Sequence, residues 1–171
     1  MEKLLYPIWK APSLSVDEFR DELLLQLAPK LTSVESVHGL RVCVADTAVS
    51  TAVGRRIESH APLPDAMLSL WVNFAGAALQ WEPLIDAHVS HKIAYLVAEA
   101  EPLVSQDAHP SKPGERLYGM CQVVFMSPPD NMARDEWQAT WKDSHTQVAI
   151  DTQSTFGYRQ NLVVRRFFND T

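Results

Sequence analysis

The 171-residue chain repeats a pattern of residues at a constant separation, and this repeat restricts the possible folds more than any other feature. A spacing of 118 residues separates Asp17 from Asp135, Phe19 from Trp137, Gly39 from Gly157, and Arg41 from Arg159. The identities are few, but the predicted order of strands and helices is shared around them. The sequence therefore predicts an internal duplication of one structural unit.

The first half of the chain predicts alternating strands and helices. An apolar run bounded by Pro12 predicts the first strand, and Ser15 followed by Glu18 predicts a capping box that opens an amphipathic helix. The predicted elements are a strand over 3–10, a helix over 15–31, a strand over 38–49, a loop over 50–64, a strand over 65–74, a helix over 76–91 and a strand over 92–103. This β-α-β-β-α-β order is typical of a ferredoxin-like unit.

The second half restarts the same order after a linker rich in Pro and Ser, residues 105–115. A strand is predicted over 116–127, a helix over 132–153 and a strand over 157–167. The predicted halves are thus residues 1–104 and 116–171. The second holds only one β-α-β within the 171 residues, which leaves two alternatives: the missing elements follow in a longer chain, or another chain supplies them.

One helix of the second half carries three bulky side chains at a spacing of four residues. Trp137, Trp141 and His145 would form a single stripe if the segment is α-helical. Either they pack in the core, or they line an apolar pocket that contains one titratable group. In the strand that follows, Tyr158 and Gln160 alternate with Arg159 and Asn161, which predicts either a substrate-orienting surface or a solvated edge strand.

The helix and strand of the second half resemble the EthD family, which belongs to the dimeric α/β-barrel superfamily. The residues that carry the resemblance are Glu136, Trp137, Trp141, His145, Tyr158, Gln160 and Asn161. Where the family continues with Ala-Pro after the histidine, this chain has Thr146-Gln147. The first half keeps Ala28-Pro29 but has Leu23 and Leu27 in place of the tryptophan and the histidine, so only the second half has a histidine at this position.

The resemblance implies an α+β fold in which tandem ferredoxin-like βαββαβ units form a dimeric α/β-barrel, with the second unit incomplete. It also implies a cofactor-independent enzyme of the monooxygenase, cyclase or dehydratase type, acting on a small apolar or aromatic molecule in a catabolic or polyketide pathway. His145 would be the general acid or base. Substrate binding would fall to Trp137, Trp141, Tyr158, Gln160 and Asn161. The alternatives are a non-catalytic small-molecule binding or accessory protein of a degradation pathway, and a barrel that only scaffolds an assembly.

The charge of the chain argues against two classes of partner. Its formal net charge is −6 and its pI is about 5.4, whereas affinity for nucleic acid or anionic membrane needs clustered Lys and Arg. The N-terminal residues lack the pattern of a signal peptide and no long apolar segment follows, which predicts a cytoplasmic protein. Cys43 and Cys121 both fall in predicted strands, as expected for buried, reduced thiols.

No pattern in the sequence predicts a metal or a bound cofactor. Nucleotide-binding glycine motifs and the GxSxG motif are absent, and the His-x-x-His pair has no further ligands at suitable spacing. Surface positions are predicted for His60, His88, His91 and His109. Core positions are predicted for Trp9, Trp71 and Trp81. Because an incomplete second unit would leave a sheet edge uncovered, a homo-oligomer is a possible state.

Overall fold

The computed structural model describes residues 1–57 and 62–167, so the prediction for His60 lies outside the described residues. The elements follow in the order β1 (Glu2–Trp9), α1 (Val16–Glu22), a π-helical turn (Leu23–Leu27), α2 (Ala28–Thr32), β2 (Val37–Val44), a 3₁₀ helix (Thr47–Arg55), β3 (Ala66–Val72), a 3₁₀ helix (Ala75–Gln80), α3 (Glu82–Asp86), β4 (His91–Lys92), β5 (Tyr95–Leu103), α4 (Ser105–Ala108), α5 (Arg134–Thr140), a second π-helical turn (Trp141–His145), α6 (Thr146–Thr152) and β6 (Tyr158–Arg166). The chain is therefore an α+β protein. Every helix in the described ranges is too short or too polar to span a lipid bilayer.

The strands form one open antiparallel sheet of six strands in the order β2-β3-β1-β5-β6, and the short β4 pairs with β1. Strand β1 is central, and its Leu4 lies opposite Leu70 of β3 on one side and Leu96 of β5 on the other. Apart from β4, the elements of residues 1–103 follow the predicted β-α-β-β-α-β order. Strand β2 is at one edge of the sheet.

The chain divides into two compact units. The first contains Met1–Ala98 together with residues from Leu162 onward, and the second contains Glu99–Asn161. Strands β5 and β6 contribute residues to both. An apolar core lies in the first unit, where alternate residues of β1 and β3 pack against the inner face of the first helical segment. Its largest fully buried side chains include Leu4, Tyr6, Ile8, Phe19, Leu23, Leu27, Leu68, Leu70 and Trp81.

A buried polar network interrupts this core. The Tyr6 hydroxyl donates to Glu82 Oε1 at 2.6 Å, and Trp81 Nε1 donates to the Tyr6 hydroxyl at 2.9 Å. Lys92 pairs with the second oxygen of Glu82 and with Asp86. Burial, reinforced by the charge of Glu82, raises the pKa of Tyr6, so the phenol keeps its proton and remains a donor. A buried carboxylate is tolerated here because both of its oxygens have partners.

The capping box predicted at the start of α1 is confirmed. The Glu18 backbone N–H donates to the Ser15 hydroxyl at 3.2 Å, and the Ser15 backbone N–H donates to the Glu18 carboxylate at 2.8 Å. These bonds satisfy two of the amide groups that the first turn of a helix leaves without partners. The bond from the Ser15 backbone N–H to the carboxylate is the main cause that lowers the pKa of Glu18. The helix thus begins where the sequence pattern placed its start.

Both helical segments contain a π-helical turn at corresponding positions. The turn Leu23–Leu27 and the turn Trp141–His145 are 118 residues apart, and so are α1 and α5 that precede them. In the first turn the Ala28 amide donates to the Leu23 carbonyl five residues back, which defines π-helical bonding. Pro29 follows directly and has no N–H to continue the α-helical ladder. The 118-residue spacing of the sequence therefore also separates the two π-helical turns.

The strand predicted over residues 116–127 is wrong. The backbone there pairs with no other described strand, and its apolar side chains Met120, Val123, Val124, Phe125 and Met126 are exposed. Strand β1, 118 residues earlier, is held by neighbours on both sides. Residues 116–127 have a strand-like composition but no neighbouring strands, and composition alone does not form a sheet. Cys121 is consequently exposed and outside any strand, whereas Cys43 is half-buried in β2.

Several smaller predictions also need correction. The predicted loop over 50–64 begins inside a 3₁₀ helix, and the predicted helix over 76–91 is split by Trp81, whose φ of −124° breaks the helical path. Trp81 is fully buried as predicted, but Trp9 and Trp71 are only half-buried, at the margin of the core. His88 is not a surface residue, because its ring is largely buried and Nδ1 lies 2.9 Å from Glu22 Oε1.

Candidate functional site

The candidate site lies in the second unit, where the helical segment from Arg134 to Thr152 faces strand β6. Trp141 is 9% exposed and Trp137 is half-buried. Their rings stack with centroids 5.4 Å apart and an interplanar angle of 25°. Two stacked indoles form a flat, rigid apolar surface, which is the kind of surface that accepts an aromatic ligand.

Two side chains bond the carbonyl of Trp141 at the π-helical turn. The Thr146 hydroxyl, five residues on, donates to this carbonyl at 2.6 Å. Gln160 Nε2 lies 2.5 Å from the Thr146 hydroxyl and 3.4 Å from the same carbonyl. Thr146 and Gln160 are both buried, Gln160 at 3% exposure. These polar groups thus bond one another and fix the turn to strand β6.

Tyr158 is on the same side of β6 as Gln160, as the alternation in the sequence predicted. Its hydroxyl is 3.4 Å from Trp141 Nε1, a long contact in which the indole N–H donates. Within residues 1–57 and 62–167 the Tyr158 O–H donates to no acceptor. A half-buried phenol beside stacked indoles can therefore offer its proton to a carbonyl or hydroxyl of a bound molecule.

His145 is not on the predicted stripe. Its side chain is exposed, and the next residue, Thr146, is buried in its place. A π-helical turn holds more residues than an α-helical one, so the direction of Trp141 is shared between the residues four and five positions later. In the first segment Leu27, four residues after Leu23, gains from burial. In the second segment His145, four residues after Trp141, keeps its hydration, and Thr146 is buried and bonds the Trp141 carbonyl.

Arg159 and Asn161, which alternate with Tyr158 and Gln160 in β6, point elsewhere. Arg159 forms ion pairs with Glu99 and Glu101 of β5, all within the second unit. Asn161 is half-buried, and its Oδ1 is buried without a hydrogen-bond partner among the described residues. By the alternation of a strand, Asn161 lies on the opposite side from Tyr158 and Gln160. The structure therefore brings together Trp137, Trp141, Tyr158 and Gln160, and leaves His145 and Asn161 outside this group.

Thr146 is the member of this group that the sequence did not single out. In the sequence Thr146 stands out only because the family has Ala-Pro after the histidine. Two features could have identified it: it stands 118 residues after Ala28, and it lies five residues after Trp141. A pattern search with an α-helical period looks four residues ahead and passes over this position.

A separate pocket of about 180 Å³ lies in the first unit and holds none of these residues. Its wall includes Val16, Val53 and Asp46. Asp46 is buried, but its carboxylate already accepts from Arg20 Nη1 at 3.4 Å. Because the buried carboxylate of Asp46 is already paired with Arg20, this pocket is a weaker candidate ligand site than the group around Trp141. The described part of the chain contains no group of three or more His, Cys, Asp or Glu residues arranged to hold a metal ion.

Comparison with known proteins does not extend the motif resemblance. No model of a known protein family matches the chain, and no curated protein matches it by sequence. The resemblance to the EthD family therefore remains a prediction from the seven motif residues of the second half.

Proposed function

We propose that the chain carries two copies of a ferredoxin-like unit of the dimeric α/β-barrel type, related to the EthD family. The recurrence of an α-helix, a π-helical turn and a second α-helix at one spacing supports this proposal. So does strand order, because β6 corresponds to β2 and extends the sheet beyond β5. A sheet with one apolar face needs a second layer to cover it, which a tandem copy would supply.

We infer that the second copy binds a small apolar or aromatic molecule. One observation carries this inference: three apolar residues of the first copy are replaced at corresponding positions by residues that combine a ring or amide with hydrogen-bonding capacity. Leu23, Leu40 and Val42 belong to the core region of the first unit. Trp141, Tyr158 and Gln160 take their places 118 residues later. All three replacements meet at the same π-helical turn.

The roles within this site differ. The stacked Trp137 and Trp141 rings would contact an aromatic ligand, and the Tyr158 hydroxyl would donate to its polar group. Gln160 and Thr146 are positioning residues, because their bonds are already committed to the Trp141 carbonyl. This division favours a binding or accessory function over catalysis, since His145, the residue expected to transfer a proton, is exposed and not buried beside Trp141.

A cofactor-independent enzyme is the second candidate, and His145 is the observation that favours it. Its ring is exposed one turn from Trp141 and makes no hydrogen bond to a described residue. An exposed imidazole has both ring nitrogens accessible to a bound molecule. A bound molecule on the tryptophan surface could present an acidic C–H or O–H to it, in which case His145 would be the general base.

Binding is tested with 2-naphthol as the probe, by equilibrium dialysis against the whole chain. Trp141→Leu and Tyr158→Leu restore the residue types of the first copy, and each should weaken binding by roughly tenfold or more. Trp9→Phe is the matched control, because Trp9 is also half-buried but lies in the first unit. Equal affinity in all three variants would remove the proposed site.

The enzymatic candidate has its own test. A set of phenols, aryl ethers and polyketide-like diketones is incubated with the protein in air, and consumption is followed by chromatography. If any is consumed, His145→Gln should slow the reaction by about a hundredfold while leaving 2-naphthol binding unchanged. A reaction that proceeds equally well in His145→Gln would exclude His145 as the proton-transfer group.

A further inference from the structure

An arginine in strand β6 bonds two carboxylates of the neighbouring strand. Arg159 Nη1 is 3.0 Å from Glu99 Oε1, and Arg159 Nη2 is 2.6 Å from Glu101 Oε1. Glu99 and Glu101 are two residues apart in β5, so both side chains leave that strand on the same side. The three side chains are only about a fifth exposed, which makes these ion pairs better shielded than typical surface pairs. The Glu-x-Glu pair of β5 therefore binds the arginine of the neighbouring strand β6 on one side of the sheet.

Strand β2 holds an arginine at the corresponding position of the first copy. Arg41 stands 118 residues before Arg159, and each arginine follows a glycine by two residues, Gly39 and Gly157. Arg41 is half-buried and forms no ion pair with any residue of the described ranges. The same side chain is thus paired twice in one copy and lacks a carboxylate in the other.

The backbone next to Arg41 is also open to a partner. Within residues 1–57 and 62–167, strand β2 is one of the two terminal strands of the sheet and bonds to β3 on one side only. In β6 the corresponding edge is covered, because β6 bonds to β5. An edge strand presents N–H and C=O groups to which a further extended segment can add.

We infer that the outer edge of β2 is a docking edge for an acidic extended segment that contains Glu-x-Glu. Backbone bonds to β2 would supply the affinity, and the Arg41 guanidinium would select carboxylates at two alternate positions. Leu40 and Val42 pack on the core side, so Arg41 and the partner's carboxylates would lie on the opposite side of the sheet. Between its glutamates the partner would carry a small residue, as β5 does with Ala100.

The sequence of β5 itself provides the probe. A synthetic peptide with the residues of Tyr95–Leu103, YLVAEAEPL, is titrated into the isotopically labelled chain and followed by amide NMR. A second peptide, YLVAKAKPL, reverses both charges. The acidic peptide should shift the amides of Val37–Val44 and bind roughly tenfold more tightly than the basic one.

A charge reversal in the protein makes the test specific. Arg41→Glu should exchange the preference, so that the basic peptide now binds more tightly, and Arg41→Gln should abolish discrimination. The spectra of both variants report whether the fold is kept, which an edge-strand position should allow. Equal binding of the two peptides by the unaltered chain would overturn the inference. So would shifts confined to Tyr158–Arg166, which would mean exchange with β5, or the absence of shifts at millimolar peptide.

Discussion

The two helical segments, residues 16–32 and 134–152, follow the same backbone course but differ in their side chains. Each has a π-helical turn in the same place, yet the turn of the first copy buries Leu23 and Leu27, while that of the second buries Trp141 and exposes His145. In the first segment the Leu23 carbonyl accepts from the backbone amide of Ala28. In the second segment the corresponding Trp141 carbonyl accepts from the side chains of Thr146 and Gln160.

This difference shows that the π-helical turn is a property of the fold and not in itself a mark of a site. π-bulges are frequent at functional positions, but the first copy has one that only packs core leucines. What distinguishes the second copy is the chemistry around the turn. Substitutions that exchange residues between the copies therefore separate structural from functional roles more sharply than alanine scanning does.

The largest effect is expected from moving the histidine into the first copy. Leu27→His would bury an imidazole without a partner in a packed core and should lower the free energy of unfolding by about 3–5 kcal/mol. The reverse change, His145→Leu, should stay within about 0.5 kcal/mol because His145 is exposed. Urea unfolding at pH 8 measures both. Similar losses in the two variants would mean that His145 is packed as tightly as Leu27.

Strand β1 and the segment 118 residues later give the next contrast. Tyr6→Phe removes the hydroxyl between Trp81 and Glu82, which leaves two buried polar groups short of a partner, so the free energy of unfolding should fall by about 1–3 kcal/mol. Val124, 118 residues later, is 57% exposed, and Val124→Ala should change the stability by less than about 0.5 kcal/mol. Thermal denaturation of the two variants is the measurement. A large loss in Val124→Ala would show that residues 116–127 are paired in solution.

Gln160→Val gives the second copy the residue of the first. The Thr146 hydroxyl keeps its bond to the Trp141 carbonyl, so only the bonds of the glutamine amide are lost, and an apolar residue fills its place. The expected cost is about 1 kcal/mol of unfolding free energy. Hydrogen exchange of the Trp141–Thr152 amides should rise in parallel. No change in either quantity would show that Gln160 does not fix the turn.

The N-cap residues of α1 and α5 differ, and substitutions at these positions should have a smaller effect on stability. Ser15 caps α1, whereas Ala133 occupies the corresponding extended position before α5 and offers no side-chain bond. Ser15→Ala should cost about 1 kcal/mol, and Ala133→Ser should stabilise by about 0.5 kcal/mol, since Glu136 already stands where a capping box needs it. Urea unfolding checks both signs. A destabilising Ala133→Ser would mean that the two helices do not begin alike.

The smallest effect concerns the pH dependence of Asp17. The Thr47 hydroxyl and then its backbone N–H bond this carboxylate, and they lower the pKa of Asp17 from its ordinary value of 3.8. A folded-state pKa below the unfolded one stabilises the protein above the ordinary value, and this contribution disappears as the pH falls through the folded-state pKa. Thr47→Val should raise the pKa of Asp17 in an NMR titration. The stability difference between the two proteins should be present at pH 6 and absent in strong acid.

The sequence predicted the elements that depend on local chemistry. The start of α1 at Ser15 and the alternation of Tyr158 and Gln160 followed from hydrogen-bonding capacity and strand geometry. The position of His145 did not, because an i, i+4 stripe assumes an α-helical turn and gives no sign of the π-helical one. The strand over 116–127 failed for a different reason: strand formation depends on neighbours, and the sequence of the segment does not contain them.

The exposed run Cys121–Met126 has a consequence for how the protein behaves in concentrated solution. Its six residues, CQVVFM, combine high β-propensity with no charge and no proline, which is the signature of segments that stack into cross-β fibrils. Pro128 and Pro129 follow after Ser127 and cannot donate to such a ladder, and Arg116 and Asp130 put charge on either side. The fold leaves this aggregation-prone segment exposed, and the flanking prolines and charges limit its tendency to aggregate.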